Sequence, residues 1–296
     1  MQKHRRRAVA TALLAVALAA LGLAGTAQAK LVGNYTKFVQ CPYLNTEIKK
    51  CLYSTTTSGE VKLGNKSVPI TNPVVLQGGA GAINEEGFAK FYAASNGITL
   101  SKAAQNVPGG LAGIVPDEKS PFLVKALIKF FFENSLTGVS STLELAKPAT
   151  DIRISENHLA EGEGVALKMP VKVHLENPFL GKNCFVGSST TPIMFELTSG
   201  TTSPPPPNTP ISGSVGEVEF LENARILQLK NAEIVDNKWS APAASGCGGI
   251  ISFLVNPIIN AQVGLPAAAG KNTARLKNTV YTSTAAAVKK VDLENP

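Results

Sequence analysis

Apolar residues recur at every second position along much of this chain, which is the spacing of strands buried on one face. Val165, Leu167, Met169, Val171, Val173 and Leu175 fall on one strand face, with Lys168, Lys172 and His174 on the other. Pro170 interrupts that run and predicts an edge or a bulge. Residues 141–145 alternate likewise, and Ile193, Phe195 and Leu197 predict a strand ending at Thr198-Ser199-Gly200. Further strands are predicted over 215–220 and 226–229. Upstream, Glu60-Val61-Lys62-Leu63, the turn residues Gly64-Asn65 and then 66–70 predict a β-hairpin. Val74-Val75-Leu76 continues the β character and stops at Gly78-Gly79.

Two segments break the alternation. Ser120 is a good N-cap and Pro121 suits the first helical position. The run 122–133, FLVKALIKFFFE, then predicts a helix that Gly138 terminates. Lys125 and Lys129 share one narrow face four residues apart, so the helix is expected to pack its apolar faces, Phe131 included, inward. The stretch is too short to cross a bilayer. Ser203-Pro204-Pro205-Pro206-Pro207-Asn208 predicts a stiff exposed loop, and the polar end from 285 to 296 a loose tail.

The first 29 residues have the layout of an export signal. Lys3, Arg5, Arg6 and Arg7 precede the apolar run 8–23, and Ala27-Gln28-Ala29 sets small residues before a cut. The mature chain is expected to begin near Lys30 and to form one secreted β-rich domain over 30–296. The 120–136 helix is the dividing point if that domain has two lobes. Cleavage lowers the net charge from +7 to +3, because the leader holds four basic residues and no acid. No basic cluster remains, so nucleic acid is not an expected partner. Low charge with frequent Gly and Pro fits a mainly β fold of sandwich- or barrel-like antiparallel sheets with one or two short helices.

All four cysteines lie beyond the leader. An even number in an exported chain reads as two disulfides. Three pairings are open, of which Cys41–Cys51 and Cys184–Cys247 is favoured.

Cys184-Phe185-Val186-Gly187-Ser188-Ser189, the proline segment 198–210, Ala241-Pro242-Ala243-Ala244-Ser245-Gly246-Cys247-Gly248-Gly249 and Gly264-Leu265-Pro266-Ala267-Ala268-Ala269-Gly270-Lys271-Asn272 resemble a widespread group of secreted actinobacterial proteins. Val235-Asp236-Asn237, Leu76-Gln77-Gly78-Gly79 and Val107-Pro108-Gly109-Gly110-Leu111 resemble the same group. The resemblance implies an actinobacterial envelope or medium. The group has no known activity, so no active-site residue carries over.

Catalytic patterns are sparse. Gly79-Ala80-Gly81 lacks the third glycine of a dinucleotide loop and is expected to be a turn. Ser245 sits in no GxSxG elbow. His174, flanked on its face by Lys168 and Lys172, is expected to be a solvated surface residue. His158 lies among acids in Ser155-Glu156-Asn157-His158-Leu159-Ala160-Glu161-Gly162-Glu163, a segment expected to form an exposed turn. No metal or cofactor is expected. The leading expectation is a secreted, envelope-associated, non-enzymatic protein with a binding or structural role. Its partner classes are a lipid or a cell-wall component, and the 130–132 and 250–265 apolar stretches are candidates to line a ligand pocket. The alternative is an envelope hydrolase that uses His158.

Overall fold

The computed structural model describes residues 31–110, Phe122, Lys125, Ala126, Lys129 and 138–295. The export signal and Phe131 lie outside the described residues, as does most of the helix expected from Ser120. Phe122, Lys125, Ala126 and Lys129 are helical, as expected, but Phe122 is 85% exposed rather than packed inward.

The fold is mainly β. Its strands are β1 (Lys50–Leu63), β2 (Lys66–Pro69), β3 (Val74–Ile83), β4 (Ala89–Tyr92), β5 (Gln105–Asn106), β6 (Ser140–Leu145), β7 (Arg153–Ile154), β8 (Leu167–Glu176), β9 (Phe185–Val186), β10 (Ile193–Leu197), β11 (Glu217–Leu221), β12 (Ile226–Asp236), β13 (Ala244–Ser245) and β14 (Thr273–Thr284). All belong to one antiparallel sheet, ordered β11-β12-β14-β1-β3-β4-β7-β8-β6-β5 along its main path. β10 pairs with the far side of β8. Past the end of β10, Thr198 and Val235 exchange both backbone hydrogen bonds, at 3.0 and 2.8 Å. This bridge brings β10 back onto β12, so the sheet curls almost into a ring.

The hairpin over 60–70 forms as expected, with Leu63 opposite Lys66 and Val61 opposite Val68. β8 keeps its expected alternation. Pro170 lies inside it, where the neighbour on one side changes from β7, which ends opposite Lys168, to β6, which begins opposite Val171. The missing N–H therefore falls at a change of partner.

The turn expected at Gly79-Ala80-Gly81 is instead part of β3. The glycines are there because the paired strand β4 and the loop before β1 come close. A Cβ on Gly78 would meet the Phe91 ring at 2.7 Å, and one on Gly79 would meet Ile48 at 2.7 Å. The tail expected to be loose is helix α3 (Ala285–Glu294); with α1 (Glu156–Glu161) and α2 (Ser252–Val263) it is one of the few short helices that accompany the sheet. Thr284 caps α3 by accepting from the Ala287 N–H at 3.2 Å. Ala285, Val288 and Val291 recur every third residue and bury one face.

Two cores result. The outer one packs α3 and the N-terminal 3-10 turn (Gly33–Phe38) on the outside of β1 and β14, around Tyr35, Phe38, Ile226 and Val288. The disulfide Cys41–Cys51 ties that turn to β1. The inner core fills the concave side of the sheet, and Cys184–Cys247 joins the chain ahead of β9 to the chain after β13. Both favoured pairings are therefore present, and two buried disulfides are typical of proteins that fold in an oxidising, extracellular compartment.

Candidate functional site

The sheet bends at one level. β14 is continuous, but both of its neighbours carry irregular register there. β1 shifts between Thr56 and Ser58, and β12 between Leu229 and Ala232. The extra residues lie beside Asn278. Such bulges increase local twist and bend a strand. On β1 the insertion also reverses parity: Leu52, Ser54 and Thr56 face inward before it, and Gly59, Val61 and Leu63 after it.

The concave side holds a cavity. Its volume is about 150 Å³. Val61, Leu76, Met169, Val173, Ile234 and Leu276 bring apolar groups to it from five strands. Ile259 and Val263 of α2 face it from the side. The 250–265 stretch thus lines the cavity only through its second half. Ile250 and Phe253 are instead 98% and 71% exposed. The 130–132 aromatics lie outside the described residues.

Three contacts fix α2 there. Asn256 Oδ1 accepts from the Cys247 N–H at 2.9 Å, and Asn260 Oδ1 from the Ala244 N–H at 2.7 Å. At the other end, the Val263 carbonyl accepts from the Asn65 N–H at 2.7 Å. The helix end comes so close to the β1–β2 turn that a Cβ on Gly64 would lie 2.1 Å from the Val263 oxygen.

A second apolar cavity of about 60 Å³ continues the first. Ser54, Leu76, Leu167, Ile234 and Asn278 line both. The second space ends at Leu52, Leu227, Thr282 and Glu156, whose carboxylate pairs with Lys50. A polar belt crosses the junction, where Thr56 Oγ1 donates to Asn278 Oδ1 at 2.5 Å and Asn278 Nδ2 donates to the Leu276 carbonyl at 3.0 Å. The belt's hydrogen bonds are made within itself and to backbone, as buried polar groups require.

His158 lies elsewhere. The expected exposed turn is α1, capped by Ser155 and ended by left-handed Gly162. His158 is half-buried, its Nδ1 is 2.9 Å from the Val165 carbonyl, and its ring meets Phe88 edge-on at 5.6 Å. Ser155, the nearest hydroxyl in sequence, is occupied in accepting the His158 N–H. His174 is not the solvated residue expected. It stacks on Phe185 with ring centres 4.3 Å apart, its Nε2 is 3.0 Å from the Lys182 carbonyl, and its Nδ1 lies 3.7 Å from Glu144 and 3.8 Å from Glu176. The neighbouring strand β6 supplies Glu144, which a reading of β8 alone does not reveal. Burial pushes Glu144 up, but Lys102 and Lys172 outweigh it and hold its carboxyl below the ordinary range.

Among the described residues, no group of three or more His, Cys, Asp or Glu is placed to hold a metal ion. Nor is any described helix long and apolar enough to cross a membrane. No protein-family model matches the chain, and neither a curated protein nor a solved structure matches it.

The lining residues Ser54, Thr56 and Asn278 were missed from the sequence, because β14 and the first half of β1 were not among the expected elements. One signal was present: Ala274, Leu276, Asn278, Val280 and Thr282 alternate with Arg275 and Lys277.

Proposed function

We propose that this is a secreted, envelope-associated, non-enzymatic protein that holds an apolar ligand inside its curled sheet. The observation that carries this reading is the cavity. Well-packed protein interiors leave few voids larger than a water molecule. Here, side chains from nine strands and one helix converge without filling the space between them, and those facing it are predominantly apolar. Ligand sites have that character: concave, apolar and with few polar groups.

Export is supported by the leader-like residues 1–29, by the two disulfides and by the resemblance to secreted actinobacterial proteins. Native mass spectrometry of protein purified from its own host tests the reading. A population heavier than the polypeptide, losing the excess mass on solvent extraction, is the expected result. Bare polypeptide alone would count against it.

A further inference from the structure

The strand register sends one charged side chain into the apolar cavity. On the β1–β2 hairpin, Lys66 stands directly opposite Leu63, and Val68 opposite Val61. Val61, Leu63, Lys66 and Val68 all line the cavity, so they share the inward face. Lys66 is the only charged residue among the described residues that line it. It is half-buried, so its ammonium can stay at the rim while its stem lies along the wall.

No partner for that ammonium is found among the described residues. The nearest acid of the hairpin, Glu60, is on the opposite face, where its Oε1 accepts from Ser67 Oγ at 3.1 Å. The C-terminal end of α2 adjoins the same turn through Asn65 and favours a positive charge there. Gln262, on that end of α2, also lines the cavity, with no partner for its amide among the described residues. A cation with no partner among the described residues, beside a neutral amide donor and an apolar space, is complementary to an anionic head on an apolar chain.

Depth matches this. Leu63 and Leu52 bracket the two joined cavities and are eleven residues apart along β1. At about 3.3 Å per residue the strand between them runs roughly 35 Å before twist and the bulge shorten it. One leaflet of a bilayer offers an acyl chain roughly 15 Å.

Resting on the cavity reading above, we infer that the ligand is an anionic amphiphile. Its carboxylate or phosphate head pairs with Lys66 and Gln262, and its single long acyl chain runs along the cavity toward the Thr56–Asn278 belt.

The test uses exported protein purified from its host and stripped of bound lipid. Calorimetric titration compares hexadecanoate, hexadecyl phosphate and hexadecanol, which share a chain and differ in head. Both anions should bind at least about tenfold tighter than the alcohol, equal to 1.4 kcal/mol. Whichever anion binds tighter identifies the head group. Lys66→Met should erase the preference while leaving hexadecanol binding and the melting temperature unchanged, and Lys66→Arg should keep it. If wild type binds acid and alcohol equally, or Lys66→Met keeps the preference, the head-group assignment is overturned and the cavity reading stands. If none of the three chains binds, both fall together.

Discussion

Thr56 and Asn278 face each other across β1 and β14, joined by a 2.5 Å hydrogen bond at the level where the sheet bends. Both neighbours of β14 change register beside Asn278, so this polar pair sits on the inside of the curve. Buried polar groups of this kind specify a conformation only while each is satisfied. The pair therefore links the local bulges to the shape of the cavity.

Removing one partner should cost more than removing both. Asn278→Leu leaves the part-buried Thr56 hydroxyl without its acceptor, an expected loss of about 1–3 kcal/mol. Adding Thr56→Val should recover part of that, with a coupling of about 0.5–3 kcal/mol in a double-mutant cycle read by urea unfolding. Strictly additive losses would show that the pair does not act as a unit.

Neighbouring valines on β8 test whether the cavity is open. Val171 is fully buried in the packed core, whereas Val173 lines the cavity on the same strand face. Val171→Phe should overpack and cost about 1–3 kcal/mol. Val173→Phe should find room, cost under about 1 kcal/mol and abolish ligand retention. Equal losses at both positions would mean that the space beside Val173 is already filled by protein.

The two disulfides close loops of very different length, with sequence separations of 10 and 63. Loop entropy assigns them about 3 and about 4 kcal/mol. Replacing Cys184 and Cys247 by Ala should therefore destabilise more than replacing Cys41 and Cys51. Chemical denaturation of the two double variants ranks them, and the reverse order would reject the entropic account.

Legibility from the sequence followed the environment of each strand's outer face. β8 could be read because its outer face carries Lys168, Lys172 and His174 against an apolar inner row. The first half of β1 could not. Its outer face is covered by α3 and the N-terminal 3-10 turn, its inner face turns Ser54 and Thr56 toward the cavity, and the bulge then reverses its parity. β14 was obscured by Asn278 and Thr282, polar residues in an inward row. α3 carried a readable signal, a Thr cap and an apolar residue at every third position, which its charged exposed face concealed. The cavity had no local signal, because it arises from a curl closed between residues 198 and 235.

That closure should respond to pH. Asp236 is fully buried beside the seam, where its Oδ2 accepts from the Glu196 N–H of β10 at 2.6 Å and its Oδ1 from the Lys238 N–H at 2.8 Å. Burial raises its pKa to about 6, against the pull of those two hydrogen bonds and of Lys238. The folded state thus holds this proton more tightly than the unfolded chain, whose Asp titrates near 3.9. The stabilisation is fully present below the unfolded value and is lost as pH rises through about 6. Its upper size is about 3 kcal/mol. Glu196 and Glu144 act in the opposite sense. Lys238 chiefly holds Glu196 low, and Lys102 and Lys172 hold Glu144 low, so their contributions are lost as pH falls through their depressed values. Asp236→Asn isolates the seam from these opposing terms. The amide keeps one acceptor but turns an NH₂ toward the other backbone N–H, so it should cost about 1–3 kcal/mol. It cannot titrate, so the stability gap between wild type and variant should narrow from about pH 4 to about pH 7. Urea unfolding of both proteins across that range measures the gap. A constant gap would show that Asp236 keeps its ordinary acidity and that the seam is insensitive to pH.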